Sequence, residues 1–142
     1  MALDTLVDVD TLAAHLDDPG WRVVDCRYDL ADTGQRERDY ASAHVPGAWY
    51  AHLSRDLSGP ITPSSGRHPL PEPAQLCEWL GERAIVPGEQ VVAYDDSGGS
   101  MAVRLWWLLR WLGYRNVAVL DGGWQEWTAA GLPTSSVPPD KP

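Results

Sequence analysis

Cysteine, lysine and positive charge are all scarce in this chain of 142 residues. The two cysteines, Cys26 and Cys77, stand far apart in unlike contexts. They can build neither a disulfide framework nor a zinc-type spacing, and they suit a reducing, cytoplasmic setting. The one lysine is Lys141, in the tail, so a phosphate-binding loop of the GxxxxGK[ST] kind cannot be written. With 11 Lys and Arg against 20 Asp and Glu the formal net charge is −9. Such a balance argues against a nucleic-acid partner, which needs a basic surface. No apolar run of about 18 residues occurs, so no membrane span is expected. The opening MALDTLVDVD is acidic and lacks the apolar stretch of a signal peptide.

The length suits a single domain with a real core. Short apolar stretches alternate with helical patterns. Strands are expected at Trp21–Asp25, Trp49–Leu53, Gln90–Tyr94 and Val117–Leu120. A first helix carries Leu12, Ala13 and Leu16, with Asp8 or Asp10 as its N-cap. A second runs over Pro73–Ile85, with Pro73 near its first position and Leu76, Leu80 and Ala84 on one face. A third, Met101–Leu112, is apolar almost all round and is expected to lie largely buried, with Gly113 closing it. A last helix, Trp124–Ala130, precedes Gly131. Leu30–Glu37 reads as a polar loop, Ala43–Ala48 (AHVPGA) as a turn, and the segment from Ser58 to Pro73 as a long Pro/Gly/Ser-rich loop. Loops of that length tend to be functional or to meet a partner. This alternation implies an α/β fold with a parallel sheet covered on both faces. Ligand sites in such folds lie at the carboxyl ends of strands. The tail, Pro133–Pro142, reads PTSSVPPDKP and looks like an interdomain linker, which sets a domain over residues 1–132.

The stretch VVAYDDSGGSMAVR (Val91–Arg104) joins a strand to a helix through two acids and small residues. A haloacid-dehalogenase type of phosphatase needs a second Asp two residues after the first, and Ser97 stands there instead. A Walker B strand needs the phosphate-binding loop already excluded. A third reading starts from geometry. Such a loop turns backbone N–H groups inward at the positive end of a helix dipole and makes an anion cradle. A thiolate placed there becomes a strong nucleophile. Here Asp95, itself an anion, is positioned to accept those N–H groups.

In order along the chain stand VVDCR (Val23–Arg27), YASAHVPGAWY (Tyr40–Tyr50), DLSGP (Asp56–Pro60), GRHPLP (Gly66–Pro71), VVAYDDSGG…RLWWLLRWLG (Val91–Gly113) and VLDGGWQEWTAAGLP (Val119–Pro133). With these segments the chain resembles the rhodanese-fold sulfurtransferases. It resembles in particular the N-terminal domain of the tandem-domain thiosulfate and 3-mercaptopyruvate enzymes. The resemblance implies a three-layer rhodanese-like fold, a parallel five-stranded sheet with helices on both faces. Active members carry a cysteine at the start of this loop. It takes a sulfane sulfur as a persulfide and passes it to a thiophilic acceptor, with no metal or cofactor. Counting from Tyr94, the matching position is Asp95; counting back from the helix, it is Asp96. Neither is cysteine. The resemblance therefore implies a non-catalytic half whose loop, Asp95, Asp96, Ser97, Gly98, Gly99 and Ser100, carries no nucleophile. Its partner is then a catalytic C-terminal rhodanese domain, and the isolated half is expected to self-associate. A stand-alone rhodanese-like binding or regulatory module is the alternative. A third possibility is a catalyst with an unusual nucleophile, Cys26 or Asp95.

Other residues carry plainer expectations. Cys26 reads as a small buried hydrophobe and Cys77 as a packed mid-helix residue. Asp25 and Arg27 read as a structural pair, and His44 as a hydrogen-bonded anchor of its turn. Arg104 is expected to pair with Asp95, Asp96 or Asp25. Tryptophans 106, 107 and 111, and 124 and 127, read as core or interface packing. Under the resemblance, Arg67 and His68 in the long loop face the partner's active site and are possible interdomain substrate contacts.

Overall fold

The computed structural model describes residues 3–139. In chain order the elements are β1 (Leu6–Val7), α1 (Val9–Ala14), β2 (Trp21–Asp25), α2 (Gln35–Ser42), β3 (Trp49–Tyr50), α3 (Pro73–Glu82), β4 (Gln90–Tyr94), α4 (Ala102–Trp111), β5 (Val117–Leu120) and α5 (Gly123–Ala129). The strands form one five-stranded sheet in the order β1-β5-β4-β2-β3, and every neighbouring pair is parallel.

Strand β4 is buried along its whole length. Its side chains alternate between two cores, as the two-residue period of a strand demands. Val91 and Ala93 join Leu76 and Leu80 of α3 and Leu105, Leu108 and Leu109 of α4. Val92 and Tyr94 join Val9 and Leu12 of α1 and Trp127 of α5. Helices therefore cover both faces, and the molecule has the expected three layers. Asp8 caps α1, its carboxylate accepting the Thr11 N–H at 2.7 Å.

Four local expectations are corrected. Residues 35–42 form a helix where a polar loop was expected to run through Glu37; α2 buries no residue, so it carries no apolar period to read. Strand β1 was not foreseen, because two residues paired to Val119 and Leu120 are too short to make a pattern. Strand β3 ends at Tyr50 rather than Leu53, although the Ala51 N–H still donates to the Asp25 carbonyl at 2.9 Å. Helix α3 stops at Glu82 rather than Ile85. Ala84 has φ 54°, in the left-handed region, and the Ile85 N–H turns back to the Leu80 carbonyl at 2.9 Å. An alanine pays a steric penalty in that conformation that glycine avoids. Ala84→Gly is accordingly expected to stabilise the domain by about 0.5–1 kcal/mol, read as a rise in the urea midpoint.

Helix packing brings two further corrections. Cys77 is exposed, because the buried face of α3 runs through Leu76, Trp79 and Leu80. Helix α4 buries only Ala102, Leu105, Leu108 and Leu109. A sheet covers one side of a helix, so Val103, Trp107 and Trp111 stay exposed, the two tryptophan rings stacked at 5.8 Å. Trp127 is fully buried and donates its Nε1–H to the Pro133 carbonyl at 2.7 Å. The start of the expected linker is thus docked. His44 and Ser135 exchange main-chain hydrogen bonds at 2.8 Å each, and the chain stays on the domain through Val137.

Candidate functional site

The loop between β4 and α4 lies at the carboxyl end of the central strand, and Asp95 fills it. One carboxylate oxygen, Oδ1, accepts the N–H groups of Ser97 and Gly99 at 3.0 and 2.9 Å. The other, Oδ2, accepts those of Met101 and Ala102, both at 2.8 Å. Four backbone donors, two of them at the start of α4, thus converge on one side chain that is only 2% exposed. Gly98 and Gly99, with φ of 71° and 93°, supply the left-handed turns that swing those amides inward. The arrangement is an anion cradle closed on its own anion. Ser100 ties the loop's outer side, its hydroxyl donating to the Ser97 carbonyl at 3.0 Å.

Asp96, next along the chain, points elsewhere. Its carboxylate lies 2.8 Å from Nε of Arg36 on α2. The contact is one of charge, because that Nε lacks the alignment of a hydrogen bond. Its carbonyl accepts from Nε2 of Gln125. Counting from the strand and from the helix left two acids open; the geometry puts Asp95 in the cradle and Asp96 at the rim. The floor is set by Gly123 of α5. A Cβ there would sit 2.5 Å from the Asp95 carbonyl oxygen, and φ is 58°. That close approach explains the second glycine of Asp121-Gly122-Gly123.

Beside the loop, at the end of β2, lies a buried polar cluster. Nη2 and Nε of Arg27 donate to Asp25 Oδ2 at 2.7 and 3.0 Å, and the Tyr94 hydroxyl donates to the same oxygen at 2.7 Å. Arg27 also donates to the Ala43 carbonyl at 2.8 Å and stacks over the Trp124 ring at 4.3 Å. Burial pushes the Asp25 carboxyl upward, and the Arg27 hydrogen bonds and charge oppose it. The expected structural pair is present.

Cys26 sits between the two, 2% exposed within the core on the α3 and α4 side. Burial pushes its thiol well above the ordinary range, and the charges of Asp25 and Asp95 push it further. A thiol so held is a poor nucleophile. Brief iodoacetamide treatment at neutral pH is expected to modify exposed Cys77 and leave Cys26 untouched, as peptide mass analysis will read.

Arg104 pairs with none of Asp95, Asp96 and Asp25. From the first turn of α4 it donates Nε to the Leu57 carbonyl at 3.0 Å, and Nη2 to the His68 and Pro69 carbonyls at 3.1 and 3.0 Å. It is a clamp on the long loop, because three carbonyls converge where an anion was expected. His68 is half-buried, with its ring edge-on to Tyr28 at 6.0 Å. Burial, then the charges of Arg104 and Arg67, hold its pKa below the usual histidine value and so favour the neutral ring. Arg67 is exposed beside it. Arg36, Gln125 and Gly123 belong to the site and were not foreseen. Only Gly123 left a signal, in the paired glycines after β5.

A parallel α/β sheet whose central strand opens into an amide-lined loop defines the class. The chain belongs to the rhodanese-like domain family, which matches residues 8–130. It is 47% identical over 134 residues to the probable 3-mercaptopyruvate sulfurtransferase of Pseudomonas aeruginosa, covering 93% of this chain and 47% of that protein. It is 36% identical over 124 residues to the thiosulfate sulfurtransferase of Cricetulus griseus, covering 84% of this chain and 40% of that one. The structure superposes on the 3-mercaptopyruvate sulfurtransferase from Leishmania major with a TM-score of 0.88 at 36% identity, over 98% of this chain and 38% of that one. The chain spans less than half the length of these relatives.

Proposed function

We propose that this chain is the non-catalytic half of a two-domain sulfurtransferase, acting with thiosulfate or 3-mercaptopyruvate as donor in a reducing cytoplasm. One observation carries the reading: four backbone N–H groups that could stabilise a thiolate or a bound anion are all taken by Asp95. A carboxylate in that cradle cannot hold a sulfane sulfur, and the one nearby thiol, Cys26, is buried and kept protonated. The persulfide chemistry is left to a partner rhodanese domain. This half shapes the cleft, with Arg67 and His68 presented on the loop that Arg104 clamps. Arg67 offers an anionic sulfur donor its positive charge, and the His68 ring offers it one N–H.

The chain alone is expected to give no thiocyanate from thiosulfate and cyanide, nor from 3-mercaptopyruvate. Turnover by the wild-type chain that disappears in Asp95→Ala overturns the reading. Asp95→Cys supplies the complementary test. Its thiolate would face the same amides, attack the sulfane sulfur of thiosulfate and expel sulfite. Intact-mass analysis is expected to show one added sulfur atom on this variant and none on the wild type.

The alternative of a stand-alone binding module draws on a different feature. A groove of about 450 Å³, lined by Leu6, Val103, Trp106 and the Gly98–Ser100 turn, opens beside the loop, and α4, which supplies Val103 and Trp106, also carries the exposed Trp107 and Trp111. Sedimentation of the isolated chain separates the readings. Self-association lost on Trp107→Ser supports a face built to be covered by another domain, and a strict monomer favours the module.

A further inference from the structure

Resting on the function proposed above, we infer that Arg104 is a positioning residue for His68: one guanidinium joins both ends of the loop that carries the ring. The Arg104 side chain is half-buried, burial draws its pKa down, and among the described residues no acid offsets the charge. A cation so placed is costly unless its N–H groups are well used. A guanidinium suits the place because its planar fork aims donors in more than one direction. Nε donates to the Leu57 carbonyl, where the chain enters the loop, at 3.0 Å. Nη2 donates to the His68 and Pro69 carbonyls, where the chain leaves it, at 3.1 and 3.0 Å. Residues 59–69 form an Ω-loop whose ends meet, the Gly59 N–H donating to the Pro69 carbonyl at 2.9 Å. A Cβ on Gly59 would sit 2.6 Å from the Leu70 carbonyl oxygen, so glycine is what lets the two ends close. Residues 58–71 contain no helix or strand before Pro73 opens α3. The place of the loop is therefore set by its neck, and Arg104 spans that neck from α4.

His68 stands at the neck, so Arg104 holds its main chain directly. The ring lies edge-on to Tyr28 at 6.0 Å, and the Tyr28 hydroxyl is 2.7 Å from Ser54 Oγ. Among the described residues neither ring nitrogen of His68 meets a hydrogen-bond partner. The backbone is fixed, while the one donor and one acceptor of the neutral ring stay open to a ligand. Burial comes first in lowering the ring's pKa, then the charge of Arg104 from α4, then that of Arg67 on the loop itself. Arg104 thus acts on the ring in two ways, through the main chain it grips and through its charge.

Two variants of the 142-residue chain separate these effects. Arg104→Met removes the fork and the charge, and Arg104→Lys keeps the charge without the fork. No sulfur donor is present, so failure here leaves the proposed function to its own tests. Trypsin cleavage after Arg67 is followed by peptide mass, and the His68 ring is titrated by nuclear magnetic resonance. Cleavage after Arg67 is expected to run roughly tenfold faster in both variants, the equivalent of one net hydrogen bond. Amide exchange protection across β4 is expected to stay at the wild-type level. The His68 pKa is expected to rise in both variants as the ring loses burial, and further in Arg104→Met, where the charge is gone as well. Should Arg104→Met not fold, Arg104→Lys carries both readouts. Wild-type cleavage rates, an unchanged His68 titration, or faster cleavage that comes only with loss of β4 protection overturns the positioning role.

Discussion

Asp95→Ala is expected to cost about 3 kcal/mol of stability, although no apolar contact is lost. The reason is donor accounting. Asp95 satisfies four N–H groups, and those of Met101 and Ala102 open α4. A hydrogen bond to a charged group contributes about 1.5–3 kcal/mol, and a buried donor left unmade costs about 1–3. The Ser97 side of the loop is exposed and water replaces part of the loss there, whereas Ala102 is fully buried. The sum is therefore well under four full bonds. In a domain of this size the deficit lowers Tm by on the order of 10 °C. Asp95→Asn keeps an acceptor for one pair of amides and turns an N–H₂ group on the other pair, so it should recover less than half. Urea unfolding of the three proteins reads this directly. A loss in Asp95→Ala within about 1 kcal/mol of wild type would show that the loop does not depend on its internal anion.

Removing Arg27 is expected to cost still more. The pair it makes with Asp25 is almost dry, at 3% and 0% exposure. Breaking such a pair from one side leaves an uncompensated charge and costs about 3–5 kcal/mol. Arg27→Met keeps the side-chain bulk under Trp124 and isolates that electrostatic part. Asp25→Asn in the same chain should return much of the loss, since no buried charge then remains. The pH dependence gives an independent sign. Burial already raises the Asp25 carboxyl, and the Arg27 hydrogen bonds and charge are the main influence opposing it. Without Arg27 the carboxyl rises further, so the folded variant binds a proton that its unfolded chain has released. Stability then falls as pH rises from the ordinary carboxylate range, about pH 4, through the raised value. The deficit of Arg27→Met against wild type should narrow on acidification from pH 7 toward pH 5. A constant gap across that span would mean that Asp25 does not carry the penalty.

The elements read correctly from sequence were those with a period. Strand β4 is an unbroken apolar run because helices cover both its faces. The Leu76–Leu80 spacing marks the inner face of α3. Cys77 lies one residue, a quarter-turn, further round, and a helix that meets the sheet along one stripe leaves that position in water. Helix α2 gave no such signal, since its attachment is polar: Arg36 to Asp96, and Glu37 to Arg55. Pairings of this kind join residues 60 and 18 apart, and no local pattern announces them. Arg104 shows the same limit. A cation just after an anion cradle suggests an ion pair, but its partners are three carbonyls of a loop about 35–47 residues earlier in the chain. The choice between Asp95 and Asp96 was equally invisible to counting. It depends on which carboxylate the left-handed glycine turns enclose.

The Arg104 clamp has a mechanical consequence. Asp95 fixes the first turn of α4, and two residues after Ala102 the same turn grips the backbone at His68 and Pro69. The helix end behaves as a short lever with a load at each side of its pivot. Slackening the pivot at Asp95 should shift the resting position of the His68 ring without any substitution in that loop.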